Sequence, residues 1–285
     1  MDRFSQPYIS VCIPVYNCEK YIGATIESVL AQTVKDFELI ILNNCSTDRT
    51  LDVICQYNDP RIRLIENETN IGAEGNWNKA LFEARGEFIK ILCADDLLYP
   101  TCLERQLAVF ENFSNDGVAL VCCGRDVING QGKKIMKRNF KGQCGRLLGH
   151  HVIKKTIRAG TNLIGEPTAV LFRADVLANA GQFDATIPYI IDLDLWCRML
   201  LHGDIYIIPE SLCVFRVSSN SWSVAVAHSQ SQDFQNFIMR LGEDPRYQLS
   251  LLDKAIGWIM ASINRMLRQL FYKVILRNKK AESNS

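Results

Sequence analysis

Two adjacent carboxylates, Asp95 and Asp96, close an apolar run at residues 89–94, Ile-Lys-Ile-Leu-Cys-Ala. Neighbouring residues of a strand point to opposite faces, so both can serve one ligand only where the chain is already turning. Paired aspartates on such a turn suit a hard divalent cation that bridges phosphates. They suit a solvated turn or a helix N-terminus as well, so the pair by itself leaves these readings open. Two more polar clusters end apolar runs: Pro14-Val15-Tyr16-Asn17, and residues 43–48, Asn-Asn-Cys-Ser-Thr-Asp. In an open parallel sheet, ligands bind outside the carboxyl ends of the strands. All three clusters fall on one such edge, and that convergence outweighs any single motif.

The elements that must hold these clusters follow from periodicity. Apolar runs rich in β-branched residues at 8–14, 37–43, 62–66, 88–93 and 118–123 alternate with helical spacing at 21–32, 47–57, 76–85 and 103–113. Short strands alternating with longer helices predict an α/β fold around a doubly wound, mostly parallel sheet. Thr101 with Glu104 fits a capping box, Ser46 an N-cap, and Gly86 a helix C-terminus. Beyond about residue 124 the pattern loosens, with a turn at Asn129-Gly130 and a polar stretch over 133–149 that reads as irregular or short-stranded. Short helices are expected at 150–159, 174–180 and 193–201, short strands at 168–173, 205–208 and 212–215, and helical stretches at 229–241 and 245–276.

The chain has 285 residues, 48% hydrophobic and 22% charged, with a formal net charge of +1. That balance describes a globular chain and argues against a dedicated nucleic-acid binder, whose phosphate footprint shows as a basic excess. Eleven scattered cysteines, with no spacing near a histidine pair that suits zinc, read as reduced thiols in a cytosolic protein. The first residues show no apolar signal core, and no run is long enough to span a bilayer.

As a set, the motifs resemble glycosyltransferase family 2. Residues 9–17 (ISVCIPVYN) look like its opening strand and 21–33 like the helix that follows. Asn44-Cys45-Ser46-Thr47-Asp48 is similar to its second-strand motif, and Asn70-Ile71-Gly72 with Asn76-Trp77-Asn78 to its third connection. Gly86-Glu87-Phe88-Ile89 leads into its aspartate pair; Gly165-Glu166-Pro167, Gly181-Gln182-Phe183-Asp184 and Asp192-Leu193-Asp194-Leu195-Trp196 fit its acceptor half. The resemblance covers about residues 8–223 and implies a GT-A fold that moves a sugar, with inversion, from a nucleotide-sugar donor to a hydroxyl. It implies a donor half at 1–115, an acceptor half at 116–225 and a helical extension at 226–285. Pro14, Tyr16 and Asn44 would surround the nucleobase, Asp95 the ribose or phosphate side, and Asp96 a Mn²⁺ or Mg²⁺ ion on the diphosphate. Arg216 would meet phosphate, Asp192 would be the general base, and Glu166, Asp194 and Trp196 would lie on the acceptor side. Asp192 also suits a helix N-cap, and its spacing to Trp196 favours it over Asp194 as base.

The chain departs from the family pattern at Asn43-Asn44, where many members carry acids, and at Phe215-Arg216-Val217-Ser218, where the family often has a histidine in place of Ser218. The ion would then rest on Asp96, donor phosphates and water. A catalytically silent scaffold and a nucleotidyltransferase are the rival readings; the second lacks the basic, glycine-rich loop it needs after the first strand.

The tail is basic. Residues 253–280 hold seven Lys and Arg against Asp253 alone, +6 there and −5 elsewhere. Leu252, Ile256, Ile259, Ile263, Met266, Leu270 and Val274 recur at helical spacing. Such a stripe fits the inner face of the plasma membrane beside a lipid-linked saccharide acceptor, or packing on the domain or on another subunit of a homo-oligomer. The expected setting is bacterial surface polysaccharide synthesis, such as O-antigen or capsule, by a cytoplasmic enzyme peripheral to the membrane.

Overall fold

The computed structural model describes residues 7–113, 117–140, 142–218 and 229–282, with only the backbone for 269 and 271–282. Ten strands among these residues form one mixed sheet. Across it run β3 (Ile62–Glu66), β2 (Phe37–Asn43), β1 (Ile9–Val15), β4 (Phe88–Ile91), β9 (Val170–Arg173), β6 (Val118–Asn129), β10 (Asp204–Val217) and β5 (Leu97–Leu98). Two more strands hang on this path, β7 (Lys134–Arg138) on β6 and β8 (Gly145–Leu147) on β10. The first four strands are parallel, as their alternation with helices predicts, and β9 then runs antiparallel to both β4 and β6.

Every residue of β1 is buried, because both faces of the sheet are covered. Ile9, Val11, Ile13 and Val15 enter one core with α1 (Ile22–Leu30) and α4 (Cys102–Asn112). Cys12, Ile40 and Leu42 enter the other, which α3 (Gly72–Glu83), α5 (Gly149–Ala159), α7 (Ile191–Met199) and α8 (Gln230–Glu243) cover. Three short or terminal helices complete the fold: α2 (Thr50–Ile54), α6 (Ala174–Ala180) and α9 (Leu251–Glu282).

Several local expectations change. No capping box forms at Thr101, since Glu104 instead accepts the Thr33 hydroxyl at 2.7 Å. The second helix starts only at Thr50, and Ser46 accepts the Asn17 amide rather than capping it. Gly86 is required by proximity: a Cβ there would stand 2.5 Å from the Ser10 amide nitrogen of β1. The stretch 133–149 takes the short-stranded of its two expected forms, as β7 and β8, whereas the two short strands expected at 205–208 and 212–215 are one strand, β10, bulged against β6.

Candidate active site

The carboxyl ends of β1 and β4 open into a cavity of about 770 Å³. Pro14 and Tyr16 line it from the end of β1, and Asp95 from the turn between β4 and β5. The loops around that edge are tied together by side chains. Asn17, at φ +48°, accepts the Thr47 amide at 2.8 Å, and Asp48 accepts the Glu19 amide at 3.1 Å. These bonds join the loops after β1 and β2 into one rim, as the convergence of their polar clusters predicts.

Asn44 is not part of that wall. It is buried, its amide donates to Asn70 at 2.8 Å and to the Gly72 carbonyl at 3.1 Å, and its oxygen accepts from Asn67 and the Ile71 amide. Both donors and the oxygen are committed to anchoring the start of α3, so nothing remains to read a base edge.

The aspartate pair divides its labour differently from the expectation. Asp96 is fully buried; its Oδ1 accepts the Arg216 amide at 2.8 Å, and its Oδ2 lies 2.5 Å from the Thr168 hydroxyl. Burial, and then the charge of Asp95, pushes its carboxyl well above the usual carboxylate range. Both of its oxygens are committed to these partners and it does not line the cavity, so Asp96 clasps β10 to the turn. Asp95 is the member that faces the cavity. Arg216 stands beside it, donating from Nε to the Asp95 carbonyl at 2.8 Å with its guanidinium 4.5 Å from the Tyr21 ring centre. Among the described residues no group of three acidic, histidine or cysteine side chains could cage a metal. One cavity-facing carboxylate still fits Mg²⁺ or Mn²⁺, which take one or two carboxylates and fill the rest from phosphate and water.

On another wall lies Asp192, in the first turn of α7. Its Oδ1 accepts the Leu193 amide at 2.7 Å and its Oδ2 the Asn162 side-chain amide at 3.1 Å. The helix N-cap is Ile190, so Asp192 is not the cap. Burial, and then the nearby Glu166 charge, raises its pKa to about 7. Glu166 also lines the cavity, in ion pairs with the buried Arg125 and, at 3.2 Å, with Arg138. Burial pushes Glu166 up, but the two guanidiniums outweigh it and hold the group below its ordinary value. The Cys93 thiol is raised by burial and then by Asp96, Asp95 and Asp192, which places all three carboxyls around one end of the sheet.

Asp194 and Trp196 do not reach the cavity. Asp194 is buried between Arg198, at 2.8 Å, and Arg240 of α8, an ion-pair cluster that joins the two helices. Trp196 is fully buried among Phe172 and Phe183, and its indole donates to the Gly165 carbonyl at 3.2 Å. Asp194, two residues on, lies on the opposite side of α7 from Asp192, and Trp196, one turn on, packs into the core. Sequence reasoning passed over Asn162, Arg138, Tyr189 and Arg268, which also line the cavity. Arg138 ends β7, in a stretch whose residues mark no strand boundaries, and Arg268 lies in the tail, so no motif marked either.

The sheet order, the ligand edge and the paired helical faces are those of the GT-A glycosyltransferase fold. The S. aureus TarS 1–349 structure in complex with UDP-GlcNAc superposes with a TM-score of 0.69 at 22% identity, over 90% of this chain and 72% of that one. In a longer S. aureus TarS structure, this chain covers 41% of that chain. By sequence, the putative teichuronic acid biosynthesis glycosyltransferase TuaG of Bacillus subtilis is 33% identical over 229 residues, 77% of this chain and 85% of TuaG. The uncharacterized protein MT1568 of Mycobacterium tuberculosis is 29% identical over 263 residues, covering 89% and 82%. The family model for glycosyl transferase family 2 matches residues 10–181, and the chain belongs to that family.

Proposed function

We propose that the protein transfers a hexosyl group from a nucleotide-sugar donor to a saccharide hydroxyl, with inversion, and that Asp192 takes the acceptor's proton. The carrying observation is a carboxyl tuned to about 7 on the wall of the same cavity as Asp95 and Arg216. A general base works best when its pKa lies near the operating pH, and one in-line displacement inverts the anomeric carbon. Pro14 and Tyr16 contact the nucleoside, Asp95 and Arg216 the diphosphate, and Glu166 with Arg138 the acceptor side. Donor contacts then come mainly from residues before 116 and acceptor contacts from 116–225. Asp95 would hold the Mn²⁺ or Mg²⁺ ion, which when bound offsets charge on the departing nucleoside diphosphate. The name of TuaG supports a cell-wall polysaccharide as product; a lipid-linked acceptor at the cytoplasmic face extends that reading.

The test is a thermal-shift panel of UDP-, GDP-, CDP- and dTDP-sugars with Mn²⁺ or with EDTA, repeated with Asp192→Asn. Ligand at about 100 times its dissociation constant adds roughly 2.7 kcal/mol, a visible shift. One nucleotide class should stabilise both proteins and lose its effect in EDTA, while only the native protein turns over acceptor. No shift in any arm would favour the silent scaffold, and turnover by Asp192→Asn would remove the base.

A further inference from the structure

The terminal helix α9 meets the rest of the chain through its small and polar residues. Asp253, Gly257 and Ala261 are buried, and Asn264 and Arg268 half-buried, at steps of three and four residues. The approach is close. A Cβ on Gly257 would stand 2.5 Å from the Ile157 carbonyl oxygen, and one on Gly160, at φ +63°, 2.4 Å from the Ala261 amide nitrogen. Arg158 of α5 pairs with Asp253, and the Asn264 amide donates to the Ala159 carbonyl at 2.7 Å. These contacts fix the rotation of the helix and turn its large apolar residues outward. Leu251, Leu252, Trp258, Ile259, Ile263, Met266, Leu267 and Leu270 are all exposed, from 41% for Ile263 to 82% for Leu251. A helix that covers a core buries that face, so the arrangement is inverted.

We infer that the outward face of α9 docks on the headgroup region of an anionic bilayer. No helix among the described residues is long and apolar enough to cross a membrane, and a helix with one apolar arc lies in the interface plane instead. Charge selects the occupant. The helix sequence carries seven Lys and Arg against Asp253 and Glu282, and Asp253 is already neutralised by Arg158. A second copy would set this basic helix against itself, whereas anionic lipid neutralises it. Trp258 borders the arc, where indoles favour the membrane interface.

Docking would also orient the cavity. Arg268 of α9 lines it, its guanidinium 5.2 Å from the Tyr189 ring centre and donating to Gln230 at 3.1 Å and to the Thr161 hydroxyl at 3.4 Å. The helix that touches lipid also carries a wall of the cavity, which would keep the cavity near the membrane and suit a lipid-carried acceptor. That choice of acceptor rests on the glycosyl-transfer reading; the docking does not.

The experiment is co-sedimentation of the full chain with phosphatidylglycerol-containing vesicles and with pure phosphatidylcholine vesicles. Binding should favour the anionic vesicles roughly tenfold or more and weaken with salt. Leu252→Ser, Ile259→Ser, Met266→Ser and Leu270→Ser combined should abolish it; all four side chains are exposed, so the fold has no stake in them. Brominated lipid should quench Trp258 fluorescence, with the quenching absent in Trp258→Phe. Failure of the native chain to bind either vesicle, undiminished binding by the fourfold variant, or a solution dimer that these substitutions dissociate would overturn the inference. A missing donor shift with intact vesicle binding would instead sink the transfer reading and leave the docking standing.

Discussion

Asn162 donates its side-chain amide to Asp192 Oδ2 at 3.1 Å while its own oxygen accepts the Gly165 amide at 2.9 Å. The second bond locks the first, so the carboxylate of α7 is aimed by the loop that follows α5. A hydrogen bond to the charged form lowers a carboxyl's pKa, against the burial that raises it. Asn162→Ala should move the acid limb of the kcat/KM profile up by about one pH unit. An unchanged limb would make Asn162 a loop staple only.

Because Asp192 must be ionised to take a proton, activity should rise about tenfold per pH unit below 7 and level off above it, following its pKa of about 7. Glu166→Gln removes a charge that helps raise that value, so the limb should shift to lower pH. A limb centred on an ordinary carboxylate value would rule out Asp192 as the base.

The same shift has a stability cost with a definite sign. The folded pKa lies above the unfolded one, so the contribution of Asp192 is fully present below the unfolded value of 3.8 and is lost as pH rises through about 7. Asp192→Asn should therefore be more stable than the native chain at pH 8, by about 2 kcal/mol after discounting for solvent, and nearly equal at acid pH. Paired denaturation curves at the two pH values decide it.

Asp95 and Asp96 should separate cleanly. Asp95→Asn should lose metal-dependent donor stabilisation with the unliganded melting temperature unchanged. Asp96→Asn should keep most of the stability, since an amide oxygen can still accept the Arg216 amide, whereas Asp96→Ala strands the Thr168 hydroxyl and the Arg216 amide and should cost about 1–3 kcal/mol. The reverse pattern in melting and donor-binding assays would restore Asp96 as the ligand.

Asp194→Asn breaks a buried cluster and leaves Arg198 and Arg240 without their shared anion. Stability should fall by about 3–5 kcal/mol while the KM for the saccharide stays within error in what remains folded. A raised KM at native stability would return Asp194 to the acceptor side.

The parallel half of the sheet was legible because its strands are buried on both faces and its helices carry a clear period. The choice between Asp95 and Asp96 was not, since a turn erases the two-residue alternation that would say which side chain faces the ligand. Asn44 matched a motif position, yet its partners Asn67, Asn70 and Ile71 come from the next loop and cannot be read locally. The tail showed its apolar stripe and its charge, but whether that stripe met the domain depended on Gly257 and Ala261, whose smallness lets α5 approach from the other side. The side chain of Val274, part of that expectation, and the others beyond Leu270 lie outside what the structure describes.

The clasp from Arg216 to Asp96 joins residues 120 positions apart. A nascent chain leaving the ribosome therefore completes its β1–β4 layer well before the aspartate turn can be set. Residue 216 also lies beyond the span 10–181 that defines family membership, so a fragment cut to those limits would keep the recognisable motifs and lose the clamp on the turn. A protein trimmed to residues 10–181 should be soluble only to the extent that the sheet tolerates an open edge, and should be unable to take up donor.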